Sequence, residues 1–162
     1  MTTPRRRALM AYGLAIAIII LDQAVKYWVV DGLRLPLGGS IAWWGPVRLT
    51  LVRNPGISFG FFQGEADWTR WALTLFALLV TGVLAWWARR PDRTLTALML
   101  GCLMGGATGN MIDRITRGSV VDFIDVQFLH FPWIFNIADA AINVGMALWL
   151  FETLVTPRPA RA

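Results

Sequence analysis

The sequence predicts an all-α integral membrane protein with four transmembrane helices and a small extracytoplasmic sheet. Three observations predict it. Apolar residues make up 56% of the 162 residues and charged ones only 15%, mean hydropathy is +0.54, and four separate stretches are apolar enough to cross a bilayer. A soluble domain of this length carries about 25% charged residues, so the composition argues against an ordinary globule. It argues equally against disorder, which needs low hydrophobicity and high net charge. The whole chain, 1–162, reads as a single polytopic membrane domain.

A spanning helix takes about 20 mostly apolar residues. The first candidate is Ala8–Val30, preceded by Arg5, Arg6 and Arg7. Its opening half resembles a signal peptide, but no small-x-small cleavage site follows the apolar run, so it is read as an uncleaved span. The others are Trp68–Trp87, Leu95–Ile112 and Ile134–Val155. An even number of spans puts both termini on one side. That side collects Arg5, Arg6, Arg7, Arg89, Arg90, Arg93, Arg158 and Arg161, eight of the fifteen basic residues, in short segments. The positive-inside rule makes this face cytoplasmic. The net charge of +5 is thus a topology signal, and no basic patch interleaved with exposed aromatics points to nucleic acid.

Asp31–Asp67 and Asp113–Trp133 then face the opposite side, with Trp28, Trp43, Trp44, Trp68 and Trp133 near the membrane edges as an aromatic belt. Val47-Arg48-Leu49-Thr50-Leu51 alternates apolar and polar, the period of a half-buried strand. Gly38-Gly39, Gly45-Pro46 and Asn54-Pro55-Gly56 mark turns around it.

An ionisable side chain inside a span costs about 2.5–3.5 kcal/mol, so each needs a reason. Asp22 and Lys26 are four apart on the first span, hence on one helix face. They read either as an ion pair that makes the span tolerable or as part of a site. In the third span Gly101, Gly105 and Gly109 recur every fourth residue, with Gly106 and Ala107 beside them, a spacing that lets helices approach closely. Cys102 lies on that face as a small packing residue. As the single cysteine it excludes a disulfide framework and a cysteine zinc cluster, and with no adjacent histidine base it is no nucleophile. The lone His130 reads as an interfacial polar group, so neither a metal nor another cofactor is expected.

At the outer end of the third span Asn110, Asp113 and Arg114 form one polar stripe at i, i+3, i+4. The fourth span, opening after Pro132, carries Asn136, Asp139 and Asn143 at i, i+3, i+7. Asp139 falls in the first turns, where the helix dipole favours negative charge. Between these spans Asp122 is flanked by apolar residues and is expected at the membrane surface, whereas Asp125 is expected to be a solvated loop carboxylate. Asp122 and Asp139 are seventeen residues apart, and the chain must turn back into the membrane between them, so they can meet. Two carboxyl groups about 3 Å apart cannot both ionise. One then takes a proton from water while the other polarises a scissile carbonyl, which is aspartic peptidase chemistry. No Gly-x-Ser-x-Gly elbow, phosphate loop or zinc helix competes with it. The alternative is a small proton-coupled transporter or channel subunit using Asp22, Asp113 and Asp139 as a relay; a lipid-binding scaffold without chemistry is a third reading.

Five blocks in order resemble the bacterial lipoprotein signal peptidase family, signal peptidase II, over nearly the whole chain. They are Leu21-Asp22-Gln23 with Lys26; Arg53-Asn54-Pro55-Gly56 leading to Phe59-Gly60; Gly105 through Arg114; Gly118-Ser119-Val120-Val121-Asp122-Phe123-Ile124; and Phe135-Asn136-Ile137-Ala138-Asp139-Ala140-Ala141-Ile142. The sequence departs from the family pattern at Pro55 and at Ile57-Ser58. The resemblance implies four membrane helices, an outer β-cradle and a short amphipathic outer-loop helix. It also implies a bacterial inner-membrane endopeptidase in contact with membrane lipids; a monomer is expected, though no residue pattern fixes the oligomeric state. Its substrates would be diacylglyceryl-modified prolipoproteins, cleaved just before the lipidated cysteine. Carried over residue by residue, it makes Asp122 and Asp139 the catalytic dyad, with Asn110, Arg114 and Asn136 lining the site. Asp22, Lys26, Asn54 and Asp113 match positions with support or substrate roles.

Overall fold

The computed structural model describes residues 3–56, 66–129 and 133–155. Phe59-Gly60, Ile57-Ser58, His130, Pro132, Arg158 and Arg161 lie outside them. Among the described residues four helices are long and apolar enough to cross a membrane. Helix α1 (Pro4–Tyr27) starts where the Thr3 hydroxyl accepts the Arg6 backbone N–H at 3.3 Å, with proline in the first turn. It runs into a π-helical turn, Trp28–Gly32. Strands β1 (Ser40–Trp44) and β2 (Val47–Asn54) follow, joined through Gly45-Pro46 as the turn signals require, with Gly45 at φ +53°.

Helix α2 (Ala66–Trp87) and helix α3 (Thr94–Arg117) complete the second and third spans, and Gly118 ends α3 in the left-handed conformation at φ +79°. Strand β3 (Val120–Asp125), strand β4 (Ile134–Phe135) and helix α4 (Ile137–Val155) close the chain. Helix α3 is the central post: 61% of its apolar stretch is buried within the protein, against 17%, 6% and 11% for α1, α2 and α4. The glycine spacing explains its position. A Cβ at Gly101 would stand 2.8 Å from the Ala11 carbonyl oxygen of α1, and one at Gly106 would run into the Ala138 carbonyl of α4. Apolar side chains from α1 and α3, Ala11, Ala15, Ala97, Met99, Leu100 and Met104, fill the bundle around the N-terminal half of α3.

The all-α description needs correction. The four strands form one antiparallel sheet in the order β1-β2-β3-β4, packed over Val29, Leu49, Leu51, Val121 and Phe123. The alternation at 47–51 marked β2. Strand β3 gave no such signal because five of its six residues are buried, so its sequence lacks a polar face. The fourth span also starts later than expected: Ile134 and Phe135 pair with Asp125 and Ile124 in the sheet, and the helix begins only at Ile137. A short outer-loop helix of the amphipathic kind is not seen among the described residues, and 57–65 lies outside them. Trp28, Trp43, Trp44, Trp68 and Trp133 are all exposed, and the rings of Trp28 and Trp43 meet at 6.0 Å.

Candidate functional site

Asn136 is the junction between sheet and helix, and it organises the site. Its side-chain oxygen accepts the Asp139 backbone N–H at 2.8 Å, while the Asp139 carboxylate accepts the Asn136 backbone N–H at 3.2 Å. That reciprocal pair is a capping box, with Asn136 as N-cap and Asp139 three residues on. It fixes the Asp139 rotamer at the mouth of α4. The Asn136 side-chain amide, fully buried, donates to Asp122 Oδ1 at 2.8 Å, to Asn110 Oδ1 at 3.1 Å and to the Val121 carbonyl at 3.2 Å. One residue therefore touches both aspartates.

Asp122 sits on β3, 2% exposed, and its other oxygen accepts the Asn54 amide at 3.0 Å. The register explains the meeting: Asn54 stands opposite Val120 and Val52 opposite Asp122. Asn54 in turn accepts the Gly56 backbone N–H at 2.8 Å, and Gly56 holds φ +89°, so the Asn-Pro-Gly turn aims Asn54 inward. Burial, and secondly the neighbouring Asp139 carboxylate, push the Asp122 carboxyl up to about 6; the Asn54 and Asn136 hydrogen bonds and the Lys26 charge oppose that rise. Asp139 is half-buried and accepts the Asn110 amide at 2.7 Å. Both carboxylates line a cavity of about 670 Å³ together with Asn54, Trp133, Phe135, Ile142 and Asn143. Arg114 donates to the Asn110 carbonyl at 3.4 Å, its positive charge is attracted to Asp139 and Asp122, and its buried Nε–H has no partner among the described residues.

The polar stripe of α3 divides in two. Asp113 does not pair with Arg114. It binds Lys26 at 2.7 Å and Arg117 at 2.7 Å, and accepts the Val121 backbone N–H at 3.0 Å. Successive helix positions point about 100° apart, so Asp113 faces α1 while Arg114 stays with the dyad. Asp22 is more than a tolerated ion: it pairs with Lys26 at 2.8 Å and accepts the Ala138 backbone N–H at 2.9 Å. Asp125, expected in solvent, is 6% exposed and accepts the Thr50 hydroxyl at 2.7 Å and the Gln127 N–H at 3.0 Å, because the strand that carries Asp122 extends that far. Cys102 is buried in packing, where a Cβ at Gly145 would lie 3.2 Å from its own Cβ.

Sequence reasoning gave no role to two residues of the polar core, Gln23, named only within a family block, and Arg117. Gln23 donates to Asp22, to Asp113 and to the Gly109 carbonyl, and Arg117 donates to both Gln23 and Asp113. Signals were available: Gln23 adjoins Asp22, and Arg117 lies one turn beyond Asp113. Among the described residues no three His, Cys, Asp or Glu side chains converge as a metal set. Chemically, a buried and a half-buried carboxyl group facing one cavity can together remove a proton from water and deliver one to a carbonyl or amine.

The chain is similar to known proteins along most of its length. The family model described as signal peptidase (SPase) II matches residues 14–155. The lipoprotein signal peptidase of Caulobacter vibrioides is 45% identical over 152 residues, covering 93% of this chain and 90% of that protein. That of Synechocystis sp. is 41% identical over 143 residues, covering 88% and 86%. A solved bacterial membrane enzyme superposes with a TM-score of 0.77 at 27% identity, over 91% of this chain and 94% of that one.

Proposed function

Because this chain belongs to the signal peptidase II family, we propose that Asp122 and Asp139 are the catalytic dyad with which it removes signal peptides from prolipoproteins. It is a protease and a bacterial inner-membrane protein with four spanning helices. The observation that carries the assignment is Asn136, whose amide holds Asp122 while its backbone and cap hold Asp139 over one cavity.

In the reaction the ionised carboxyl takes a proton from a water molecule, and that water attacks the scissile carbonyl carbon. The neutral carboxyl donates its proton to the carbonyl oxygen, giving a tetrahedral diol. The diol collapses as the first carboxyl, now protonated, gives its proton to the amide nitrogen and the second, now ionised, takes one from a diol hydroxyl; the C–N bond breaks and the amine leaves. The pair titrates as a unit. Burial raises the Asp122 carboxyl, so its neutral form is easier to reach than that of an exposed carboxylate. Asn110 keeps Asp139 oriented, Asn54 steadies Asp122, and Arg114 offsets the negative charge of the pair. Asp22, Lys26 and Asp113 support the site from behind.

The substrate is a prolipoprotein already carrying diacylglycerol on the cysteine that follows the cut. Its acyl chains stay in the bilayer against apolar helix faces, which puts the bond at the depth of the cavity. Both termini are cytoplasmic, and the site opens to the external face. A single chain supplies every residue named, so a monomer suffices. The transporter alternative has no support from the family, and the buried carboxylates Asp22, Asp113, Asp122 and Asp125 belong to one end of the bundle rather than to a path across it. The test is purified enzyme given a diacylglyceryl-modified precursor beside its unlipidated twin, read by gel shift. Only the lipidated form is expected to be cut; equal cleavage of both would overturn the substrate reading.

A further inference from the structure

Lys26 is fully buried, and its ammonium has three N–H donors. Three acceptors surround it: Asp113 Oδ2 at 2.7 Å, Asp22 Oδ2 at 2.8 Å and Asn110 Oδ1 at 3.3 Å. Each leads to the dyad by a separate route. Asp113 accepts the backbone N–H of Val121, the residue before Asp122. Asp22 accepts the N–H of Ala138, the residue before Asp139. Asn110 donates directly to the Asp139 carboxylate at 2.7 Å. On the dyad reading above, on which this rests, we propose that Lys26 is a positioning residue: one ammonium ties β3, the first turn of α4 and Asn110 together and so sets the separation of the two catalytic carboxyl groups.

A role in neutrality alone would not require this arrangement. Asp113 already has Arg117, and a buried Asp–Lys pair that serves no geometry can often be replaced by apolar residues without loss. Here each carboxylate also accepts one backbone N–H beside a dyad member, so the directions of the bonds matter as well as the charges. The groups facing Asp122 are Asp139 from α4, Asn136 from its cap, Asn54 from β2 and Arg114 from α3, with Lys26 acting from α1. Lys26 itself faces Asp22 on its own helix and Asn110 and Asp113 on α3, with Arg117 behind Asp113. Removing the ammonium takes away a positive charge that favours ionised Asp122.

The single change Lys26→Met leaves buried Asp22 without its cation while Asp113 keeps Arg117, so the decisive variant is Asp22→Asn with Lys26→Met. It removes one charge of each sign, keeps Asp113 with Arg117, and leaves an amide oxygen to accept the Ala138 N–H. In purified enzyme with a diacylglyceryl-modified precursor, Tm is expected within about 5 °C of the parent. The kcat should fall about tenfold or more with KM within about twofold. The alkaline limb of kcat/KM against pH should move up by about half a unit or more, since losing a nearby cation favours the neutral acid. Asp22→Asn alone, which retains Lys26, should keep the parent limb. A folded double variant with parental kcat and an unmoved limb would overturn the proposal. If the double variant does not accumulate, Lys26→Arg decides: a planar guanidinium keeps the charge but cannot reproduce the three short contacts, so kcat should fall with the limb in place, and parental kcat would refute the role. Parental activity in Asp122→Asn or Asp139→Asn would instead remove the dyad, a separate result.

Discussion

The N-terminal half of α3, here called inner, and its C-terminal half, here called outer, solve the same packing problem by different means. Toward the inner end Ala97, Met99, Leu100 and Met104 are buried against Ala11 and Ala15, and Gly101 lets the backbones close. Toward the outer end Asn110 and Asp113 are buried just as fully, but against Asp22, Lys26 and Asn136. Lipid tails are as apolar as leucine, so no hydrophobic force favours one scheme over the other within a bilayer. Shape complementarity holds helices together without saying where an atom must point. Hydrogen bonds and ion pairs specify direction, and the outer half uses them where two carboxyl groups must be aimed. The difference locates the chemistry: directed bonds form one connected network at one end, and at the other Thr96 with Glu152, Tyr12 with the Ala85 carbonyl and Arg7 with the Pro91 and Asp92 carbonyls are among the tethers.

The comparison breaks most sharply at the dyad. Asp122→Asn or Asp139→Asn should each lower prolipoprotein cleavage by a factor on the order of 10⁴, the scale seen when one member of a catalytic unit is lost. Membrane insertion, followed by fractionation, should be unchanged, because asparagine keeps the volume and part of the hydrogen bonding. A smaller effect separates shape from direction. Gly106→Val forces a side chain into the Ala138 carbonyl and should cost about 2–3 kcal/mol in thermal unfolding. Gly82→Val, on α2 where a Cβ meets nothing within 4 Å, should stay within about 0.5 kcal/mol. Equal costs at the two glycines would mean that close approach at α3 is not what orders the bundle.

The four spans were legible because length and apolarity suffice to define them, and the glycine spacing announced α3 as the helix its neighbours approach most closely. The dyad was legible in part: Asp122 and Asp139 stood out as carboxylates that apolar surroundings must justify. Their link through Asn136 was not readable, since a polar stripe at i, i+3, i+7 cannot show that its first member is an N-cap outside the helix. Asp113 was grouped with Arg114 by helix-face arithmetic alone; which neighbour each meets depends on where α1 packs, and that is tertiary information. Asp125 was misread for the same reason as β3. A strand covered on both faces has no alternation, so its polar end looked like loop. Gln23 was passed over because a neutral amide carries no charge penalty to draw attention to it.

The outer half can be sharpened further by pH. Asp122, pushed up to about 6, is neutral below that value and ionised above it, so the alkaline limb of kcat/KM should fall through about the same pH as the dyad loses its shared proton. Asn54 donates to the ionised form and holds the value down. Asn54→Ala should therefore move the limb upward, by about half to one unit, with a loss in kcat/KM; a downward shift would mean that Asn54 does not favour the charged carboxyl. The smallest expected effect lies at the inner half. Thr96→Val removes the 2.7 Å hydrogen bond to Glu152 and should cost about 0.6 kcal/mol, the average for such a pair between membrane helices. It should leave kcat/KM and its pH profile untouched, because no chain of hydrogen bonds runs from that pair to Asp122 or Asp139 among the described residues. A shifted pH limb in Thr96→Val would show that the apolar half transmits electrostatic or positional change to the dyad, and the division between a shape-held end and a bond-held end would have to be given up.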